Sequence, residues 1–296
     1  MTHAPVPTPA PVATPVDAFR DDHGLFSMVA VDQRGSLRHM LAAGADPATV
    51  TDDDLIDFKA AVGEAIGGTA SGLLLDREYG GAAAQASSCP IILAADILSA
   101  SVPGGPVDLA EIDPAVTADT VEQFGASALK MLVPWQPAHR SRAVDLTHAF
   151  MDRCRELGLP GVVEGVVRPR DGDLQSSEGF ADALITAAAD LAVTGPDLYK
   201  TEVVYTGPQD TPLTVATARA ITGLLSCPWV VLSSGVSATD FPAAAAAAVT
   251  GGAQGFLAGR AVWIDATTAP DSRAHLHTHA VANLHAITTQ VWKAAS

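Results

Sequence analysis

The sequence predicts an α/β protein built as one (β/α)8 barrel, the TIM-barrel architecture, in a single domain. Three observations carry that expectation. Eight short apolar runs alternate with longer helical patterns along the chain. Each run is almost continuously apolar and rich in Val, Ile or Leu, as strands buried on both faces of a parallel sheet must be. The 296 residues show no second composition regime, and one closed barrel typically takes about 250 residues.

In order, the runs are 25–32 (LFSMVAVD), 71–76 (SGLLLD), 91–95 (IILAA), 127–133 (SALKMLV), 161–167 (GVVEGVV), 197–203 (DLYKTEV), 228–234 (PWVVLSS) and 254–259 (QGFLAG). The segments between them carry helix signals. Thr51 is a candidate N-cap, Leu55, Phe58, Val62 and Ile66 recur at helical spacing, and Gly67–Gly68 stops the helix. Ser237 and Asp240 resemble a capping box opening a helix over 240–250, with Asp in place of the usual Glu. A doubly wound open sheet is the rival fold, but its Gly-rich first turn is absent. Residues 1–16 hold prolines at 5, 7, 9, 11 and 15, which remove backbone donors, so this stretch is expected to be a disordered extension and 17–296 the barrel.

Composition narrows the function. No window approaches the roughly 18 consecutive apolar residues of a membrane span. The N-terminus lacks the basic start and apolar centre of a secretory signal. Cys89, Cys154 and Cys227 form no CxxC pair, and their odd number argues against a disulfide framework. A cytoplasmic protein without a membrane partner is expected. The net charge of −16 weighs against nucleic acid, whose phosphates need a basic surface. Ala-rich helix backs such as 243–248 fit close packing on a sheet and association into a homo-oligomer. An acidic protein that handles an anionic substrate must concentrate its few cations locally.

Active sites of such barrels lie at the C-terminal ends of the strands. The first run ends at Asp32, Gln33 and Arg34, the second at Asp76, Arg77 and Glu78, and the third near Asp96. The fourth carries Lys130, the fifth Glu164 followed by Arg168 and Arg170, and the sixth Lys200 and Glu202. The last two finish at Ser233-Ser234-Gly235 and Gly259-Arg260. Of the four lysines, Lys59 falls among the polar positions of the 52–66 helix and Lys293 in the C-terminal tail, whereas Lys130 and Lys200 sit inside apolar strands. A buried ammonium is costly and needs a partner or a task. One reading is a structural ion pair, Lys200 with Glu202 or Lys130 with Glu164. The other is a nucleophile. A Schiff-base lysine must be neutral to attack a carbonyl although its unperturbed pKa is about 10.4, and burial beside a second ammonium favours the neutral form. Lys200 then attacks, Lys130 supplies the neighbouring charge, and Glu164 moves protons. Glycines and Arg260 at the last two strand ends, with a following helix N-terminus, suit a phosphate.

The segments VDQRGSLRHM, LLLDREYG, GASALKMLV, VVEGVVRP, DLYKTEVV, LSSGVSATDF and GFLAGRAVW resemble the class I tagatose-1,6-bisphosphate aldolase family from about Leu25 to Trp263. VPGGPVD, MLVPW, VVRPRDGD and PWVVLSSGV are closer to its sulfofructose-phosphate branch, whereas LLLDREYG and Gly35 in VDQRGSL are closer to the tagatose-bisphosphate enzymes. The resemblance implies a metal-independent lyase without cofactor. Lys200 would form the Schiff base, Glu164 would be the acid/base, and Lys130 and Asp32 would support them. Ser234, Gly235, Gly259 and Arg260 would hold the phosphate of a dihydroxyacetone-phosphate half, and Gln33 would meet substrate hydroxyls. Arg34 is a further substrate-binding candidate. A sulfonate or a second phosphate at the distal end would be met by Arg77, Arg168 or Arg170. The substrate implied is 6-deoxy-6-sulfofructose 1-phosphate, cleaved to dihydroxyacetone phosphate and sulfolactaldehyde, with tagatose 1,6-bisphosphate as the alternative. Another Schiff-base sugar-phosphate enzyme and a non-enzymatic sugar-phosphate sensor on this fold stay open. His275, His277 and His279 are read as exposed histidines at a helix end rather than as metal ligands, because a class II aldolase would place histidines at strand ends. Trp135 either walls the pocket or caps the core.

Overall fold

A computed structural model describes residues 15–101, 107–168 and 171–296. Eight parallel strands close into a barrel: β1 (Phe26–Ala30), β2 (Leu73–Leu75), β3 (Ile91–Ala94), β6 (Ala126–Trp135), β7 (Gly161–Val167), β8 (Leu198–Thr201), β9 (Trp229–Val231) and β10 (Gly255–Ala258), with β1 pairing both β2 and β10. All eight fall within or across the predicted runs. The remaining two strands were not foreseen. β4 (Asp96–Ser99) and β5 (Leu109–Ile112) form an antiparallel hairpin outside the barrel, directly after β3.

Pleating sorts the side chains into two cores. Inside the barrel lie Phe26, Met28, Ala30, Leu74, Ile92, Ala128, Val162, Leu198, Val230 and Leu257. The alternate residues, such as Val29, Leu129, Val163, Tyr199 and Phe256, pack outward against the helices. Val16 and Phe19, both fully buried, join the interior cluster. The expected extension therefore stops short of Val16, whose side chain is core. Residues 1–14 of that extension, and Arg170, lie outside the described residues.

The helix Asp52–Ile66 opens with a full Thr51–Asp54 capping box. The Ser237–Asp240 pair forms, with the Asp240 amide donating to Ser237 Oγ at 3.1 Å, but the helix itself begins at Phe241. Its buried Ala244, Ala245, Ala247 and Ala248 let the C-terminal helix Val281–Ala295 pack closely, so Lys293 belongs to a helix rather than a tail. Among the described residues no helix is long and apolar enough to cross a membrane.

Lys59 departs from expectation most. It is fully buried and pairs with the equally buried Asp76 at the end of β2, which also accepts the Tyr79 amide at 2.9 Å. Its place one turn beyond Leu55 puts it on the inward face of the helix. Burial lowers the Lys59 pKa against the pull of Asp76. Removing one partner leaves the other charge buried alone. Lys59→Met should therefore cost about 3–5 kcal/mol in urea unfolding, and adding Asp76→Leu should recover most of it. Equal stability of Lys59→Met and the unaltered protein would contradict that account.

Candidate active site

The same pleating that fills the barrel aims the polar side chains. Lys130 lies one pleat above Ala128, Glu164 above Val162 and Lys200 above Leu198, so all three point into the interior at its C-terminal end. Glu164 and Lys200 are register partners across β7 and β8, while Lys130 faces Ala94 on β3 and Val162 on β7. Their exposures are 6%, 3% and 1%.

The two lysines are paired unequally. Lys130 Nζ meets Asp32 Oδ2 at 2.9 Å, Asp96 Oδ2 at 3.1 Å and Glu164 Oε2 at 2.9 Å. Among the described residues Lys200 Nζ meets only Glu164 Oε2, at 3.0 Å. Of the two foreseen ion pairs, Lys130 with Glu164 forms, although the same Glu164 oxygen also meets Lys200, and Lys200 with Glu202 does not. Burial works against the Lys130 charge, but Asp32, Asp96 and Glu164 outweigh it and hold its pKa well above the lysine range. Burial would raise the Asp32 carboxyl, yet Lys130, then Lys200 and Arg34, hold it below the ordinary carboxylate value. Glu164 is likewise lowered: burial is opposed first by Lys130 and then by Lys200.

Above this cluster opens a cavity of about 630 Å³. Asp32, Gln33 and Arg34 from the end of β1 line it, as do Arg168 after β7 and the Ser233–Gly235 turn after β9. Gly259 and Arg260, after β10, complete that rim. Gly235 has a φ of 80°, a conformation that favours glycine. Gly259 has no room for a side chain, since a Cβ would come within 2.7 Å of the Ala30 carbonyl. Arg260 is exposed and, among the described residues, makes no hydrogen bond or ion pair. Its pKa is lowered by the partial enclosure of its guanidinium at the cavity rim, although the residue as a whole is exposed, and by the nearby Arg168. Gln33 Oε1 is buried without a partner among the described residues.

Three expectations change here. Arg77 does not line the cavity; its Nε donates to Asp113 Oδ2 at 3.0 Å. Arg168 donates to Glu202 Oε1 at 2.8 Å and to Ser234 Oγ at 2.9 Å, so it stands beside the Ser–Gly turn rather than at an opposite end. Glu202 thus serves Arg168 and the Val167 amide, not Lys200. Trp135 is core: it is buried, bonds Asp190 at 2.8 Å and does not line the cavity. His275, the last residue of the short helix Ser272–His275, stacks at 4.0 Å on His279 of the π-helical stretch Leu276–Ala280; His277 and His279 are exposed as expected, whereas His275 is half-buried. Sequence reasoning placed Asp96 at a strand end without giving it a role. The cavity wall made by Leu98, Ser99, Ala100 and Val107 of the hairpin had no sequence signal, because DILS and LAEI are too short to read as strands.

Residues 26–265 match the family model described as DeoC/LacD family aldolase. The chain belongs to the DeoC/LacD aldolase family. It is 31% identical over 154 residues to the tagatose 1,6-diphosphate aldolase of Listeria monocytogenes, an alignment that covers 49% of this chain and only 44% of that protein. It is 28% identical over 271 residues to tagatose 1,6-diphosphate aldolase 1 of Enterococcus faecalis, covering 83% of this chain and 82% of the relative. Among solved structures, an archaeal fructose 1,6-bisphosphate aldolase with its catalytic Lys bound to the carbinolamine intermediate superposes with a TM-score of 0.62 over 94% of this chain and 98% of its own, at 16% identity. The fructose-bisphosphate aldolase of Slackia heliotrinireducens gives 0.63 at 15% identity, over 95% and 89%. At those identities the likeness is one of fold.

The charge cluster of this DeoC/LacD family member sets a pH dependence. Asp32 and Glu164 are depressed, so their stabilisation is full above the unfolded carboxylate values of about 4 and is lost as pH falls through the folded values. Lys130 is raised, so its contribution is full below about pH 10 and is lost only as pH rises through its folded value. Lys130→Met removes the main cation that depresses both carboxyls. With that depression gone, the stability of Lys130→Met, measured by urea unfolding across pH, should fall less steeply between about pH 5 and 2 than that of the unaltered protein; equal slopes would refute the pairing.

Proposed function

We propose that the chain is a class I aldolase in which Lys200 forms a Schiff base with a phosphorylated ketose. The observation that carries this reading is the unequal pairing of the two lysines. Lys130 has a carboxylate for each of its three N–H donors, whereas Lys200 faces the cavity with one partner, a carboxylate that can take its proton. A sugar-phosphate sensor would have no use for such a group.

In this reading, Lys200 Nζ passes a proton to Glu164 and attacks the C2 carbonyl of the ketose, forming a carbinolamine. Glu164 returns the proton to the carbinolamine oxygen, which leaves as water, and the protonated imine then draws in the electrons of the C3–C4 bond. A carboxylate at the site accepts the C4 hydroxyl proton as the aldehyde departs. Asp32 and Glu164 are both ionised at neutral pH, as their lowered pKa values require. Protonation of the resulting enamine and hydrolysis release dihydroxyacetone phosphate. Its phosphate fits the rim of Ser234, Gly235, Gly259 and Arg260, where the uncommitted guanidinium of Arg260 supplies charge. The unpartnered Gln33 Oε1 suits a substrate hydroxyl.

For the distal group, the segment resemblance favours a sulfonate, as in 6-deoxy-6-sulfofructose 1-phosphate. The Listeria and Enterococcus relatives, named for tagatose 1,6-diphosphate, favour a second phosphate. With Arg77 outside the cavity, Arg34 and Arg168 are the described cations left to meet either anion, each already held by protein acceptors, Asp96 for Arg34 and Glu202 and Ser234 for Arg168. Cleavage rates on the two ketose phosphates discriminate the two readings.

Incubation with dihydroxyacetone phosphate followed by borohydride should place a covalent adduct on Lys200, mapped by peptide mass spectrometry. Lys200→Ala should lose more than about 10³-fold in turnover while staying folded. Glu164→Gln should keep the adduct site but lose about 10²–10⁴-fold in kcat. A folded protein that yields no lysine adduct would end the Schiff-base reading.

A further inference from the structure

Asp96 is the one carboxylate on Lys130 that neither reaches Lys200 nor lines the cavity. It is 1% exposed and every acceptor it has is occupied. Its Oδ2 accepts from Lys130 Nζ at 3.1 Å and from the Leu132 amide at 2.9 Å. Its Oδ1 and its carbonyl oxygen accept from the two terminal nitrogens of Arg34, at 3.4 and 2.8 Å. Arg34 is backed in turn by Asp76, with Nε 4.0 Å from Oδ2, and Asp76 is held by buried Lys59. Charges of alternating sign, all buried except the cavity-lining Arg34, therefore run from Lys59 through Asp76, Arg34 and Asp96 to Lys130. The main chain of β6 clamps the Asp96 end of that line.

We propose that Asp96 is a positioning residue that keeps Lys130 a permanent, immobile cation, so that proton exchange by Glu164 is confined to Lys200. The inference rests on the aldolase reading above. Lys130 is faced by Asp32 from the end of β1, by Asp96 from β4, by Glu164 from β7 and, across Glu164 Oε2, by Lys200 from β8; β3 presents only Ala94. Of these, Asp32 and Glu164 border the cavity and meet the substrate in that reading. Only Asp96 can hold the third N–H of Lys130 throughout a turnover. Without it Lys130 gains a free donor and a proton it can lose, and Glu164 acquires a second partner for exchange.

The test is Asp96→Asn, which has the same shape and keeps an oxygen for the Leu132 amide. Lysine acetylation by acetic anhydride, mapped by peptide mass spectrometry across pH, reads Lys130 directly. Formation of the borohydride-trapped dihydroxyacetone phosphate adduct on Lys200 reads the consequence. Lys130 should become reactive, and the alkaline limit of adduct formation should fall, each at least about one pH unit lower in the variant, because a lost carboxylate lowers an ammonium pKa. A purely structural Asp96 would reduce adduct formation by the same factor at every pH, and that result, or no change, overturns the proposal. If the variant does not fold, the unaltered protein still decides: Lys130 inert where Lys200 is acetylated supports the proposal, and equal labelling overturns it. Absence of any adduct in the unaltered protein would remove the aldolase reading and this proposal with it. An adduct on Lys200 with no pH shift in Asp96→Asn would remove this proposal alone.

Discussion

A charge placed inside an apolar barrel must be matched there, and this constraint organises the molecule. Each buried ion costs several kcal/mol even after relaxation unless its partners are close and well aimed. Two ammonium groups at the top of the interior therefore require carboxylates from other strands. Asp32, Asp96 and Glu164 arrive from the end of β1, from the start of β4 just after β3, and from β7. The same requirement recurs further out, where Glu202 holds Arg168 and Asp76 holds Lys59.

The matching is uneven, and the unevenness has chemical meaning. Three acids converge on Lys130, so its charge belongs to the scaffold. Lys200 shares a single carboxylate oxygen that is already committed to Lys130. An amine in that position has somewhere to send a proton and open space in front of it. The anion end shows a similar division: Arg168 is tied to Glu202 and Ser234, while Arg260 beside it stays unpaired among the described residues. The barrel thus leaves one amine with a single described carboxylate and one guanidinium without a described partner, each next to a more fully paired twin.

Much of this was legible locally. Strand burial on both faces appears as unbroken apolar runs, and a lysine or glutamate within such a run has to point into the interior or be paired. Lys130, Glu164 and Lys200 were visible on those grounds, and the glycines at 235 and 259 marked turns at two strand ends. Some signals were present but misread. Lys59 follows Leu55 by one helical turn, which already places it on the inward face. Other features carried no local signal. The β4–β5 hairpin rests on two four-residue strands, and the withdrawal of Arg77 to Asp113 depends on a loop fold that no periodicity encodes.

Periodicity and residue type were enough for the barrel, for its open end and for the polar side chains that enter it, because each of these follows from contacts within one strand or one helix. The pairing of those side chains was not. Whether Lys130 or Lys200 collects three carboxylates depends on how β1, β3, β7 and β8 are brought round the closing barrel, and Asp32 and Lys130 stand 98 positions apart in the chain. Electrostatic energies change steeply over an ångström at such short range. The choice of which lysine is scaffold and which is free was therefore made by tertiary closure alone.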